Sequence, residues 1–169
     1  YLGSVGHHGI SSPMTAGFTT TNQGDETKLY AYNASSGAWN TTPTVSSPGV
    51  GFFAPVGSGG FLTSAGTFSV TGTPLTSHTH SLEYSSNVAA GGSGAGWNLI
   101  GNPYTCGLNW GSVTKSAGVN GAMYIWDPVS STYLYYQDGI VNPFAGNTSY
   151  GYAGSQLASG VIAPLQAFW

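Results

Sequence analysis

Charged residues are unusually rare in this sequence. Only 4% of the 169 residues are charged; the cations are Lys28 and Lys115, there is no arginine, and the formal net charge is -3. Soluble domains average about 25% charged residues. Nucleic-acid binding requires Lys and Arg at phosphates, so the composition excludes it and disfavours an anionic membrane surface. A surface with so little like-charge repulsion suits contact with neighbouring copies or with neutral polymers.

Cysteines, helix signals and long apolar runs are also rare. The single cysteine, Cys106, excludes an intrachain disulfide and is expected to be a small buried residue. No apolar run approaches the roughly 18 residues of a membrane-spanning helix. The 27 Gly and 9 Pro interrupt the chain too often for a sustained helical period. Disorder is disfavoured, because 40% of residues are hydrophobic and 14% aromatic.

Short apolar segments bounded by turn residues predict an all-β fold. Residues 28–32 and 38–40 flank the turn "NASSG" and predict a hairpin. Residues 123–126 and 132–135 flank "DPVSS" and predict a second one. Further strand candidates lie at 51–54, 60–63, 67–70, 81–84 and 97–100.

The two hairpins belong to a longer internal similarity. Each half has a strand ending in "I-x-x-P", a hairpin with aromatic sides, and a Pro before a strand that ends in two aromatics. The matched segments are 10–15 with 100–105, 29–33 with 123–127, and 48–53 with 164–169, and Trp39 falls opposite Tyr133. The pattern predicts one antiparallel β-sandwich-like module, 1–169, built from two diverged repeat halves, 1–88 and 96–169, joined by a Gly-rich loop at 89–96.

Three strings of the second half resemble a known module. "GWNLIGNPY" (96–104), "MYIWD" (123–127) and "IAPLQAFW" (162–169) resemble the module of secreted Bacteroidota surface proteins, substrates of type IX secretion, that precedes the C-terminal sorting domain. "ISSPM", "LYAYNASSGAW", "VGFFAP" and "FSVTGTPLT" resemble its first half. The resemblance implies an extracellular β-sandwich-like module of multi-domain surface proteins and adhesins, without catalytic residues to carry over. Core or turn roles are expected for Trp97, Asn98, Asn102, Pro103, Tyr124, Trp126, Pro164 and Phe168.

Metal and catalytic candidates are weak. His78 and His80 are two residues apart, so on a strand they share a face and are candidates to bind one metal ion, although solvated surface histidines are the favoured interpretation. Asp127 and Asp138 are weak calcium candidates, and Asp127 heads a hairpin turn. No G-x-S-x-G elbow is present. We expect no catalytic residues, no bound metal and no cofactor.

Tyrosine is plentiful in the second half. Tyr133, Tyr135, Tyr150 and Tyr152 are weak candidates for contact with a ligand or partner, because exposed rings stack on sugars and on other proteins. Strand alternation places Tyr133 and Tyr135 on one face.

The sequence therefore predicts an extracellular, non-catalytic structural subunit or spacer. Its expected partners are copies of itself or other surface proteins, joined through strand edges into a filament or surface layer, without membrane insertion. Because the chain starts at Tyr1 and stops within a predicted strand at Trp169, we expect cleavage from a longer precursor. The alternative is a carbohydrate-binding or adhesin module that uses exposed Tyr and Trp on neutral polysaccharide. An extracellular enzyme and an ice- or mineral-binding surface at Thr19–Thr21 are less favoured.

Overall fold

The structure, a computed structural model, describes residues 5–15, 25–41, 47–64, 70–84, 96–137, 157 and 159–169. In these ranges there is no α-helix, and no helix is long and apolar enough to cross a membrane. Two 3-10 helices, Glu26–Lys28 and Trp110–Ser112, accompany strands β1 (Gly6–Ser11), β2 (Ala31–Asn33), β3 (Ala38–Asn40), β4 (Gly51–Val56), β5 (Ile100–Gly101), β6 (Leu108–Asn109), β7 (Ala122–Asp127), β8 (Thr132–Gln137), β9 (Val161–Ile162) and β10 (Ala167–Phe168). The all-β prediction is confirmed.

Hydrogen bonding arranges the strands of the two halves in the same order. In the first half β1 pairs antiparallel with β4, and β2 pairs with β3. Tyr30, just before β2, joins these pairs, since its N–H and C=O exchange hydrogen bonds of 3.0 and 2.8 Å with Phe53. In the second half Tyr124 exchanges bonds of the same lengths with Trp169. The order is therefore β3, β2, β4, β1 in one half and β8, β7, β10, β5 in the other.

The halves are joined by hydrogen bonds between matched positions. Gly101 N–H donates to Gly49 O at 2.8 Å, and Ser11 N–H donates to Leu165 O at 2.9 Å. Ser11 corresponds to Gly101, and Gly49 to Leu165, in the sequence comparison of the halves. A Cβ atom on Gly101 would lie 2.0 Å from Ser11 Cβ, so only glycine allows this approach. Matched residues thus make matched bonds, although their origin by duplication stays a prediction.

Backbone conformation also corresponds between the halves at two turns. Gly49 and Leu165 have φ of 76° and 64°, and Gly37 and Ser131 have φ of 67° and 52°. This left-handed region costs a residue with a side chain roughly 1–2 kcal/mol. At residues 163–166, Gln166 N–H donates to Ala163 O at 3.2 Å, and Pro164 precedes Leu165 as in a type II turn. The second half therefore keeps the left-handed backbone conformation of this turn, although Leu165 stands where the first half has Gly49.

Each half has its own apolar cluster, centred on Phe52 in the first and on Phe168 in the second, both nearly inaccessible to solvent. Other corresponding pairs are Ile10 with Ile100 and Leu29 with Met123. Full burial of such a side chain contributes about 1.5–3 kcal/mol. The first cluster is completed by Ala54, Val56, Phe61 and Leu62, and the second by Trp110 and Ile162.

The strand predictions have mixed outcomes. Both hairpins and the strand at 51–54 are confirmed. The strand at 60–63 is wrong: Gly60 N–H bonds to Gly57 O in a tight turn, and only Leu62 forms a bridge, with Val56. The strand at 81–84 is wrong because this segment pairs with a side chain, described below, and the strand predicted at 97–100 begins only at Ile100. Residues 67–69, and the loop 89–96 except Gly96, lie outside the described residues.

Candidate functional site

Aromatic side chains from both halves form one layer on the face opposite the apolar clusters. Because side chains alternate along a strand, burying Phe52 and Phe168 turns Phe53 and Trp169 to this face. Ring pairs correspond between halves: Tyr32–Trp39 at 5.5 Å with Trp126–Tyr133 at 5.0 Å. We call the following residues the aromatic layer: His7, Tyr30, Tyr32, Trp39, Phe53, Trp97, Tyr124, Trp126, Tyr133, Tyr135 and Trp169.

Trp169 is the ring through which the halves meet. Its ring centroid lies 4.9 Å from Tyr32, 5.8 Å from Trp39, 6.3 Å from Phe53 and 6.1 Å from Trp97. Edge-to-face pairs of this kind contribute about 0.5–1.5 kcal/mol each beyond burial. Burial raises the pKa of the Tyr133 hydroxyl, and the nearby Trp169 side chain acts in the opposite direction. The layer therefore holds the two halves together.

The tyrosines predicted to contact a partner lie mostly within this layer. Tyr135 is only 6% exposed, so its prediction as a surface contact is wrong, because it packs on Tyr124. Tyr133 is half-buried against Trp126, and Tyr150 and Tyr152 lie outside the described residues. Trp39 of the same layer is 44% exposed. Alternation predicts which side chains share a face, but it does not say which face another element covers.

Strand β3 is an open edge. All three of its residues are exposed, and it pairs with β2 alone in the described part of the chain. Tyr30 directs its backbone groups to β4, so Ala31 and Asn33 direct theirs to β3 and the N–H and C=O of Trp39 point away from the sheet. Neither group of Trp39 has a hydrogen-bond partner among the described residues. No charged residue occurs between positions 29 and 41.

A groove of about 330 Å³ separates the first hairpin from the segment 80–83. Its floor is apolar, formed by Val50, Leu99 and Ile100. One wall carries polar side chains of the hairpin, including Asn40. The opposite wall carries His80, Ser81 and Glu83.

Asn98 of the "GWNLIGNPY" string fixes that second wall. Its Oδ1 accepts from Glu83 N–H at 3.0 Å, and its Nδ2 donates to Glu83 O at 2.9 Å and to Gly96 O at 3.0 Å. The side-chain amide therefore pairs with the backbone of Glu83 as a neighbouring strand would. Residues 81–84 are thus held by a side chain and form no strand pair with the described residues.

His78 and His80 pack over the turn at Gly49. Their ring centroids lie 5.9 Å apart, and the space that a Cβ on Gly49 would fill is 2.5 Å from His78 Nε2 and 3.3 Å from His80 Nδ1. His78 Nε2 is buried without a hydrogen-bond partner among the described residues. Burial lowers the pKa of both histidines, and repulsion from His78 adds to the lowering at His80. The expectation of solvated surface histidines is therefore wrong for this pair.

The described residues that were weak candidates for binding a metal ion do not come together in one site. Among the described residues, no three His, Cys, Asp or Glu side chains are grouped so that they hold a metal ion. Asp127 caps its turn as predicted: its carboxylate accepts from Val129 N–H at 3.1 Å and from the Ser130 hydroxyl at 2.5 Å. These bonds lower the pKa of Asp127. Asp138 lies outside the described residues.

Asn102 is a buried polar residue of the second half whose side chain makes several hydrogen bonds. It is fully buried; its Nδ2 lies 2.8 Å from Cys106 O and 3.1 Å from both Ile162 O and Ala163 O, and its Oδ1 accepts from Tyr104 N–H at 2.9 Å. Pro103 beside it is buried as well.

Cys106 and Lys115 are two further polar residues of the second half. The Cys106 side chain is exposed, so its prediction as a buried residue is wrong; its carbonyl, not its sulfur, is the group that faces Asn102. Lys115, one of the two cations, donates to Trp110 O and Val113 O at the end of the second 3-10 helix and lies 4.6 Å from the Trp110 ring centroid. This lysine serves the local fold.

No protein-family model matches the chain, and searches of curated proteins and of solved structures found no match.

Proposed function

We propose that this chain is an extracellular, non-catalytic structural module that joins to further copies of itself through the open edge of strand β3. The sequence resemblance to modules of type IX secretion substrates supports a place in a secreted surface protein. The low charge of the chain supports close packing of copies, because little repulsion opposes it.

The observation that carries the proposal is the backbone of Trp39. An unpaired N–H and C=O on an exposed strand form a template for another strand. Proteins that avoid such pairing place Lys, Pro or inward-facing charges on the edge, and none of these occurs between positions 29 and 41. The half-exposed indole of Trp39 adds apolar area to the same contact.

Absence of catalysis is part of the proposal. Asp25 and Asp127 hold turn residues through their carboxylates, and bonds from Thr27 lower the pKa of Asp25. Carboxylates occupied in this way are poor candidates for proton transfer.

Light scattering over a concentration series, with electron microscopy of the concentrated samples, tests the proposal. The native chain is expected to form oligomers that dissociate on dilution. Trp39→Ala removes the ring and keeps the N–H, whereas Trp39→Pro also removes the N–H, which has no hydrogen-bond partner among the described residues. We expect association to weaken in Trp39→Ala and to be abolished in Trp39→Pro.

Ala38→Lys is the matched control for misfolding, because Ala38 is exposed on the same edge and the added charge blocks edge pairing without removing a ring. It is expected to be monomeric with native circular dichroism. A native chain that stays monomeric at millimolar concentration, or a folded Trp39→Pro variant that associates like the native chain, contradicts the proposal.

A further inference from the structure

We infer that the groove between the first hairpin and residues 80–83 is a binding site for an uncharged saccharide unit. The inference is independent of self-association, since it rests on the groove and not on the outer edge of β3. It also places recognition away from the tyrosines that the sequence favours.

The size and floor of the groove fit one sugar ring. Its volume of about 330 Å³ lies at the lower end of the range for ligand sites. Val50, Leu99 and Ile100 offer an apolar floor for the C–H face of a pyranose. Tyr32 also lines the groove, while its ring packs on Trp39 and Trp169 in the aromatic layer.

The wall at residues 80–83 supplies the polar chemistry. Ser81 and Glu83 are exposed and His80 is half-buried, so a ligand in the groove can reach all three. A carboxylate, a hydroxyl and a neutral imidazole together accept and donate hydrogen bonds as sugar hydroxyls require. Asn98 holds the Glu83 backbone through two hydrogen bonds and donates a third to Gly96 O, so this wall is positioned before a ligand arrives.

The charges around the groove select against other ligands. No lysine or arginine is among the described residues that line it, so phosphate and sulfate find no cation and meet the Glu83 carboxylate. A metal ion finds only His80 and Glu83, short of the ligand groups that stable sites assemble. A neutral polyhydroxylated ligand can form hydrogen bonds with His80, Ser81 and Glu83 without bringing a charge of its own into the groove.

Isothermal titration with a panel of neutral oligosaccharides built from glucose, mannose, galactose and N-acetylglucosamine tests the site, with amide NMR shifts to locate binding. At least one member is expected to bind and to shift residues 80–83 and 98–100. His80→Ala and Glu83→Gln are each expected to lower affinity about tenfold, the effect of losing one or two hydrogen bonds to a ligand. Asn98→Ala is expected to act indirectly, lowering affinity while 81–84 loses its amide protection from exchange.

Asp127→Asn is the matched control outside the groove and should bind like the native chain. Binding that is lost in Trp39→Ala but retained in His80→Ala would move the site to the aromatic layer and overturn the inference. The inference also fails if the whole panel does not bind, or if Zn²⁺ shifts the His80 resonances and no saccharide does. The titrations use the monomeric Ala38→Lys variant, so a failure of self-association leaves this result unchanged.

Discussion

Two asparagine side chains of the segment 96–104 replace backbone as hydrogen-bond partners. Asn98 pairs with Glu83 along a segment that has no strand neighbour, and Asn102 gathers the carbonyls of Cys106, Ile162 and Ala163 in a fully buried position. An amide carries a donor and an acceptor on one planar group, so it satisfies both sides of a backbone at once. The sequence predicted structural roles for both residues, and these contacts are the chemical reason.

Replacing Asn102 tests the weight of this network at the residue scale. Asn102→Asp turns a donor that faces three carbonyl oxygens into a buried anion. We expect the free energy of unfolding to fall by about 3 kcal/mol at neutral pH, measured by urea denaturation.

Ser12, the matched residue of the first half, is the control. It is equally buried, but its hydroxyl accepts only from Met14 N–H at 3.3 Å, so Ser12→Ala should cost about 1 kcal/mol. Equal losses at both positions would show that the Asn102 network carries no special weight.

At the scale of elements, the hairpins β2–β3 and β7–β8 form the same kind of turn with different residues. Asn33 caps the first turn by accepting from Ser36 N–H at 3.1 Å, and Asp127 caps the second in the same manner. Each turn then needs a left-handed residue, which is Gly37 in the first and Ser131 in the second. The first hairpin therefore has the unstrained residue at this position, and the second does not.

Exchanging the two residues gives a paired prediction. Ser131→Gly should raise the free energy of unfolding by about 0.5–1 kcal/mol, because glycine adopts positive φ without steric cost. Gly37→Ser should lower it by a similar amount, measured by thermal or urea unfolding. The Ser131 side chain is exposed, so the substitution loses no packing. A destabilised Ser131→Gly variant would contradict this explanation.

For the whole molecule, the decisive feature is that each half depends on the other for hydrogen bonds and ring contacts. Gly49 and Leu165 each present a carbonyl to the opposite half, and Trp169 packs on three rings of the first half. His78 and His80 cover the Gly49 turn, at the point where the halves are hydrogen-bonded. Protonating either imidazole places a charge beside this junction.

Stability is therefore expected to depend on pH through the two histidines. Their pKa values are lowered in the folded chain, so the unfolded chain binds more protons and the stabilisation is complete above the unfolded pKa of about 6.5. It is lost as the pH falls through and below that value. Urea denaturation from about pH 8 to pH 5 should show this loss.

The variant His78→Asn with His80→Asn is the control, and its stability should vary less over the same interval. An identical pH profile in the native chain and the double variant would remove the histidines from the explanation.

The local pattern of the sequence determined the all-β class, both hairpins, the position of Asp127 at the head of the second turn, and the correspondence of Phe52 with Phe168. These features depend on side-chain alternation and on turn residues only a few positions apart, so they can be predicted without knowing the rest of the chain. The match between segments of the two halves likewise requires only comparison along the chain.

The tertiary structure alone decided which aromatic face is covered, where the groove lies, and that Asn98 replaces a strand beside residues 81–84. Tyr135 and Trp39 both alternate correctly on their strands, yet Tyr135 is buried against Tyr124 and Trp39 is left at an exposed edge. His78 and His80 acquire their lowered pKa values from a turn about 30 positions away in sequence. Exposure and proton affinity are set by neighbours distant along the chain, and local pattern does not contain them.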